Sequence, residues 1–229
     1  IIDGRVAALG LGFGDADRVI DATGKLVLPG GIEGHCHIEQ KSSVGGVMSA
    51  DDFFTGTRSA VFGGTTTTLS FAQQIPGESL RKTVQDYHEC ARPKAVIDYG
   101  FHLIISDPTE QVLGQDLPAL VADGMPSFKV YMTYDSLKLD DRQMLEVLST
   151  ARRCGAMMMI HAENHDMIKW LTDRLLSGGY VAPKFHAISH ADIAEGEATH
   201  RAIRLSQLMD VPILLVHVSA EDAMEEIRR

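Results

Sequence analysis

The sequence is short of cysteine, of basic charge and of long apolar runs. Its three cysteines, Cys36, Cys90 and Cys154, lie far apart without C-x-x-C spacing. That argues against a disulfide framework and makes a reducing cytoplasm the expected setting. Lys and Arg number 21 against 31 Asp and Glu, for a formal net charge of −10. Nucleic acids and anionic membranes are held by clustered basic side chains, so neither is expected as a partner. No apolar run approaches the roughly 18 residues that suggest a membrane span, and no basic-then-apolar leader opens the chain. The chain begins at Ile1 without Met and stops inside the helical pattern Glu225-Glu226-Ile227-Arg228-Arg229, so it reads as a fragment and a lost leader stays open.

What is present is a core. Apolar residues make up 45% of the chain and charged ones 23%, with no signature of disorder. Residues 1–28 are short apolar pieces cut by Gly and Asp, as in β-hairpins. Gly10, Gly12 and Gly14 alternate strictly and run into Gly14-Asp15-Ala16-Asp17. A dinucleotide fingerprint needs G-x-G-x-x-G between a strand and a helix, so these glycines read as a turn.

From Pro29 the pattern changes. Strands are expected at Gly31–His37, Thr65–Ala72, Ile97–Ser106, Ser127–Met132, Ala156–His161 and Pro212–Val218. Helices are expected at Ala50–Phe62, Leu80–Ala91, Gln111–Ala122, Asp141–Cys154, His165–Leu176 and Ile193–Met209. Gly63-Gly64 and Cys154-Gly155 look like helix stops just before strands. Such alternation means an α/β protein with a parallel sheet under helices. An open doubly wound sheet and a TIM-type barrel both fit the pattern. A complete (β/α)8 barrel takes about 250 residues, so a barrel here would be incomplete, with about six units present.

The strongest chemical signal is His35-Cys36-His37. Residues i and i+2 of a strand face the same way, so both imidazoles project together. Such a pair suits a borderline divalent ion such as zinc, although H-x-H alone leaves chance equally open. His161 closes the apolar run Met157–Ile160, and His217 closes Ile213–Val216. Both would stand at C-terminal strand ends, where barrels gather catalytic groups. Lys129 lies inside Ser127-Phe128-Lys129-Val130-Tyr131-Met132, which otherwise reads as a buried strand. Burial lowers a lysine pKa and leaves a neutral, modifiable amine; the plain alternative is a buried stem whose ammonium reaches solvent.

The other histidines carry less. His102 suggests packing or support of the site, and His186 could line its mouth. His88, His165, His190 and His200 are expected to be solvated, as is the face carrying Glu195 and Glu197. Cys154 reads as a packing thiol. There is no G-x-S-x-G elbow.

Together these residues resemble the dihydropyrimidinase and hydantoinase group of the amidohydrolase superfamily. The resemblance covers essentially the whole chain. It is carried by Pro29–His37 (PGGIEGHCH), Phe62–Thr67 (FGGTTT), Ser127–Tyr134 (SFKVYMTY), His161–Asn164 (HAEN) and Val216–Ser219 (VHVS).

The resemblance implies that His35 and His37 bind one metal ion and His161 and His217 another. Lys129, carbamylated by carbon dioxide, would bridge the two. Zinc is the default metal and manganese an alternative. Tyr134 would stabilise the oxyanion as a metal-bridging hydroxide opens a dihydropyrimidine or hydantoin to an N-carbamoyl amino acid. Residues 1–28 would form part of a small β-sandwich and residues 29–229 a partial metal-dependent hydrolase barrel. A homodimer or homotetramer is implied for the full-length protein.

The family's catalytic aspartate and later ring-binding loops would lie past Arg229. These residues alone are therefore expected to be inactive and poorly folded, with open strand edges.

Related readings stay in play. Dihydroorotases place an arginine where this chain has Glu39, and a glutamate would repel a substrate carboxylate, which favours a neutral ring. Hydantoinases more often have aspartate there, which leaves allantoinase and cyclic-imide hydrolase open. Non-catalytic scaffold relatives have lost metal ligands, whereas His35, His37, Lys129, His161 and His217 are all present. Lys129 also disfavours a mononuclear site.

Overall fold

The apolar runs become six parallel strands: β1 (Gly31–Cys36), β2 (Thr65–Gln73), β3 (Asp98–Ile104), β4 (Ser127–Tyr131), β5 (Met157–His161) and β6 (Ile213–Leu215). They are seen in a computed structural model that describes residues 1–42 and 46–229. The strands neighbour one another strictly in chain order. A doubly wound sheet would reverse that order at a switch point, so the architecture is an incomplete (β/α)8 barrel. Between the strands run α1 (Phe53–Phe62), α2 (Leu80–Ala91), a π-helical turn at Val112–Asp116 leading into α3 (Leu117–Ala122), α4 (Asp141–Cys154), α5 (His165–Ser177), α6 (His186–Ser189) and α7 (Asp192–Met209). After β6 comes α8 (Glu221–Arg228).

Capping chemistry sets several of these boundaries. Asp140 accepts a hydrogen bond from the Gln143 amide at 2.8 Å, and the Gln143 side chain accepts one from the Asp140 amide at 2.9 Å. This reciprocal box starts α4, and Gly155, at φ 67°, ends it in the left-handed region that glycine enters freely. Asp52 and Thr55 make the same box, which moves the start of α1 from the expected Ala50 to Phe53. The turn at Pro183–Phe185 and α6 were not expected from the sequence.

Alternation along the strands divides the interior in two. Leu103, Phe128, Val130, Met158 and Ile160 pack in a large cluster with helix residues such as Leu80, Met144 and Ala198. Their neighbours of opposite parity, Phe71, Ile104, Tyr131 and Met159, form a smaller cluster with Leu137 and Val216. The second cluster is the face on which the chemistry sits. Lys129 and His161 share its parity.

Residues 1–30 form no strand. The expected hairpins reduce to one antiparallel bridge, Ile2 to Arg5, and Leu9 and Leu11 are fully exposed. Among the described residues no helix is long and apolar enough to cross a membrane.

Candidate metal centre and active site

Lys129 sits mid-strand on β4 with no exposed surface. Its Nζ has no hydrogen-bond partner among the described residues. The nearest rings are Tyr131, at 5.1 Å, and Phe71, at 5.2 Å. Burial pulls its pKa from 10.5 down to about 7. The stem-buried, head-solvated alternative is therefore not what the chain adopts: the amine itself is enclosed.

Imidazoles gather near that amine, close enough for its charge to act on His35, His37 and His217. His37 stacks on Phe71 at 4.6 Å and His35 meets the same ring edge-on at 4.7 Å. Ring centres are 5.7 Å apart for His35 and His37, 5.8 Å for His35 and His217, and 4.5 Å for His161 and His217. Phe71 is thus the floor that orients the pair from β1. The β1–β2 register brings it there by setting Cys36 against Ser70.

His217 arrives differently. Its φ of 39° is left-handed, and β6 has already ended at Leu215 instead of running to Val218 as expected. Tyr134 (φ 70°) and Glu39 (φ 48°) share this costly conformation. Of these, His217 and Tyr134 line the same cavities, where strain of this kind is often kept for function.

Burial and neighbouring positive charge hold His35, His37 and His217 below the ordinary imidazole range. Burial first, then the positive Lys129 and neighbouring imidazoles, push His35 down to about 4. Burial and the charges of His161 and Lys129 do the same to His217, also to about 4. Burial holds His37 below its ordinary value as well, despite a hydrogen bond to Gln40. At neutral pH these are lone-pair donors. Burial, with the nearby Glu163 carboxylate second, raises Tyr134, so its phenol stays protonated and can donate. Glu163 is itself opposed by burial, but its hydrogen bond with His161 (Nε2 to Oε2, 2.6 Å) holds it below the usual carboxylate range.

Two cavities open on these groups. One of about 420 Å³ is lined by His37, Gln40, Gln73, Tyr131, Tyr134 and His217. Another, of about 290 Å³, is lined by Glu163, His186, His190 and Ser219 and shares Tyr134 and His217 with the first. Among the described residues no three His, Cys, Asp or Glu side chains form a group that could hold a metal ion by themselves. The four imidazoles instead form one run of neighbours, His37, His35, His217 and His161.

Several supporting residues escaped the sequence reading. Phe71, Gln40, Gln73 and Glu163 touch the histidines or their partners, yet no motif marks their contacts. His102 does support the site, bonded to the Gly34 carbonyl at 3.0 Å and to Ser127 at 2.5 Å. His186 lines the cavity as expected.

Other expectations fail. His165 is half-buried and pairs with Asp135 at 3.2 Å, His88 packs on Phe101, and His190 bonds Ser189 and faces the cavity. His200 is the exception: it is exposed, as expected, and pairs with Glu226. Glu195 and Glu197 are not a free solvated face. Glu195 accepts the amides of Ser219 (2.7 Å) and Ala220 (3.0 Å), just past His217, and Glu197 holds Asn164 and Arg201. Glu39 is turned away from the cavities: it pairs with Lys94 and accepts the Phe53 amide at 3.0 Å. Its charge is matched, so it gives no argument about the charge of a substrate.

The chain is a homologue of the D-hydantoinases and dihydropyrimidinases. It is 42% identical over 230 residues to a D-hydantoinase of Rhizobium radiobacter, covering 100% of this chain and 50% of the relative. A dihydropyrimidinase of Arabidopsis thaliana is 39% identical over 218 residues, covering 94% and 40%. Among solved structures, that of a D-hydantoinase superposes with a TM-score of 0.95 at 42% identity, covering 99% of this chain and 49% of that one. The chain thus spans about half the length of the curated relatives it matches. No protein-family model matches it.

Proposed function

We propose that the protein is a metal-dependent hydrolase that opens a cyclic amide ring, taking a dihydropyrimidine or hydantoin to an N-carbamoyl amino acid. The observation that carries this is Lys129, a buried amine with no hydrogen-bond partner among the described residues, near a run of four imidazoles. The donor set fits two divalent ions such as zinc. His35 and His37 would hold one ion and His161 and His217 the other. Neither pair is sufficient alone, and the missing shared donor is what Lys129 can become. Its neutral nitrogen adds to carbon dioxide, one N–H proton leaves to solvent, and the resulting carbamate offers a carboxylate to both pairs.

When bound, such ions supply water activated for attack on a carbonyl near neutral pH. The chain's own residues do the rest. Tyr134 donates its phenol hydrogen to the carbonyl oxygen as negative charge gathers there. Glu163 fixes the orientation of His161 through Nε2. Phe71 and Tyr131 wall the amine from solvent, which strengthens every electrostatic interaction in the site.

In the same reading, residues 1–28 belong to a small β-sandwich and 29–229 to the barrel. The exposed apolar side chains of the first segment, Leu9 and Leu11 among them, are what a covering sheet would bury. A cytoplasmic homodimer or homotetramer completes it.

The test is ring opening of dihydrouracil, hydantoin, allantoin and succinimide by the intact, metal-supplemented protein, with metal counted per chain. Turnover of one ring and two ions per chain, falling in Lys129→Ala, is expected. No turnover with no metal bound would overturn the reading, and an unchanged metal count in Lys129→Ala would overturn the bridging role.

A further inference from the structure

Gln40 is a buried amide that the chemistry above does not use. Its Oε1 lies 2.5 Å from His37 Nδ1, and its Nε2 donates to Gln73 Oε1 at 2.5 Å. Its backbone is pinned on both sides by Ser49: the Gln40 amide donates to Ser49 Oγ at 3.0 Å, and the Ser49 amide donates to the Gln40 carbonyl at 2.9 Å. With its NH2 group spent on Gln73, the side chain turns only a carbonyl oxygen toward the imidazole. A carbonyl accepts and cannot donate, so the shared hydrogen must sit on His37 Nδ1. The lone pair is then left on Nε2.

His102 serves as an internal contrast. Its Nε2 faces the Gly34 carbonyl at 3.0 Å and must carry the hydrogen there, so the same ring type is locked in the opposite tautomer.

We infer that the Gln73–Gln40 relay is a positioning device that locks His37 as the Nδ1–H tautomer and presents its Nε2 to a divalent cation. This rests on the metal reading proposed above. Partners of this kind orient a metal-binding histidine and raise its basicity, and their loss costs about 10–100-fold in metal affinity.

The test uses histidine-15N-labelled, metal-free protein, with imidazole tautomers read from long-range 1H–15N spectra and cobalt(II) affinity from its d–d absorption. In the wild type His37 is expected as Nδ1–H and His102 as Nε2–H. Gln40→Met, similar in length but without an acceptor, should free the His37 tautomer and weaken cobalt binding about 10–100-fold. Gln40→Glu keeps an acceptor and should retain both. A wild-type His37 protonated at Nε2 overturns the relay, as does a Gln40→Met protein with unchanged tautomer and affinity. Should Gln40→Met not fold, the wild-type tautomer and Gln40→Glu still decide the question. A locked His37 in a protein that takes up no cobalt overturns the metal reading and the purpose assigned here. An unlocked His37 in a cobalt-binding wild type overturns the relay alone.

Discussion

Replacing Lys129 by Met tests the buried amine most directly, because Met keeps the straight stem and removes the proton site. In the metal-free protein the amine titrates near pH 7 when folded and near its ordinary 10.5 when unfolded. Below about pH 7 both states are protonated, and above about pH 10.5 both are neutral. Between those limits the unfolded chain holds a proton that the folded chain does not, so stability rises with pH. At about 1.4 kcal/mol for each pH unit between the two values, the full window amounts to roughly 5 kcal/mol. The accessible part, from pH 7.5 to 9, amounts to about 2 kcal/mol.

The histidines do not blur this signal. His35 and His217, at about 4, are neutral in the folded state throughout that range. The assay is equilibrium urea unfolding of metal-free wild type and Lys129→Met in buffers purged of carbon dioxide, since carbamate formation would add a slope of the same sign. The difference in unfolding free energy should move in favour of the wild type by about 2 kcal/mol between pH 7.5 and 9. A difference that stays flat would mean that Lys129 keeps an ordinary pKa, and the enclosed neutral amine would be refuted.

Two further substitutions probe the scaffold. Glu195→Ala strips the Ser219 and Ala220 amides of their acceptor; it should cost roughly 2 kcal/mol in urea unfolding and weaken cobalt(II) binding by loosening the turn that aims His217. Asp140→Ala removes the side-chain half of the α4 capping box; it should cost about 1 kcal/mol, read as a lower urea midpoint with metal binding unchanged.

Chemistry that depends on chain order was legible before the structure; chemistry that depends on pairing was not. His161 and His217 are marked by apolar runs that stop at them, and α4 falls on its expected residues because its cap and its glycine stop are local signals. Lys129 is marked by its flanks, and the structure adds that the amine has no hydrogen-bond partner among the described residues. The failures share a cause. Glu39 was read as a bare charge facing substrate, but Lys94, which neutralises it, is 55 residues away. Pro212–Val218 was read as one strand, and no propensity announces that His217 leaves it with positive φ.

The same reasoning explains why the histidine pattern identified the site but not its orientation. Two imidazoles at i and i+2 guarantee only that both rings leave one face of a strand. Which nitrogen each ring offers is decided by what lies behind it. For His37 that partner is Gln40, itself set by Gln73, 33 residues further along the chain. For His161 it is Glu163, only two residues on, yet useful because the backbone after β5 turns the carboxylate back to Nε2. In the metal reading proposed above, a change at Gln40 or Gln73 would therefore alter cation binding without touching the motifs that carry the histidines.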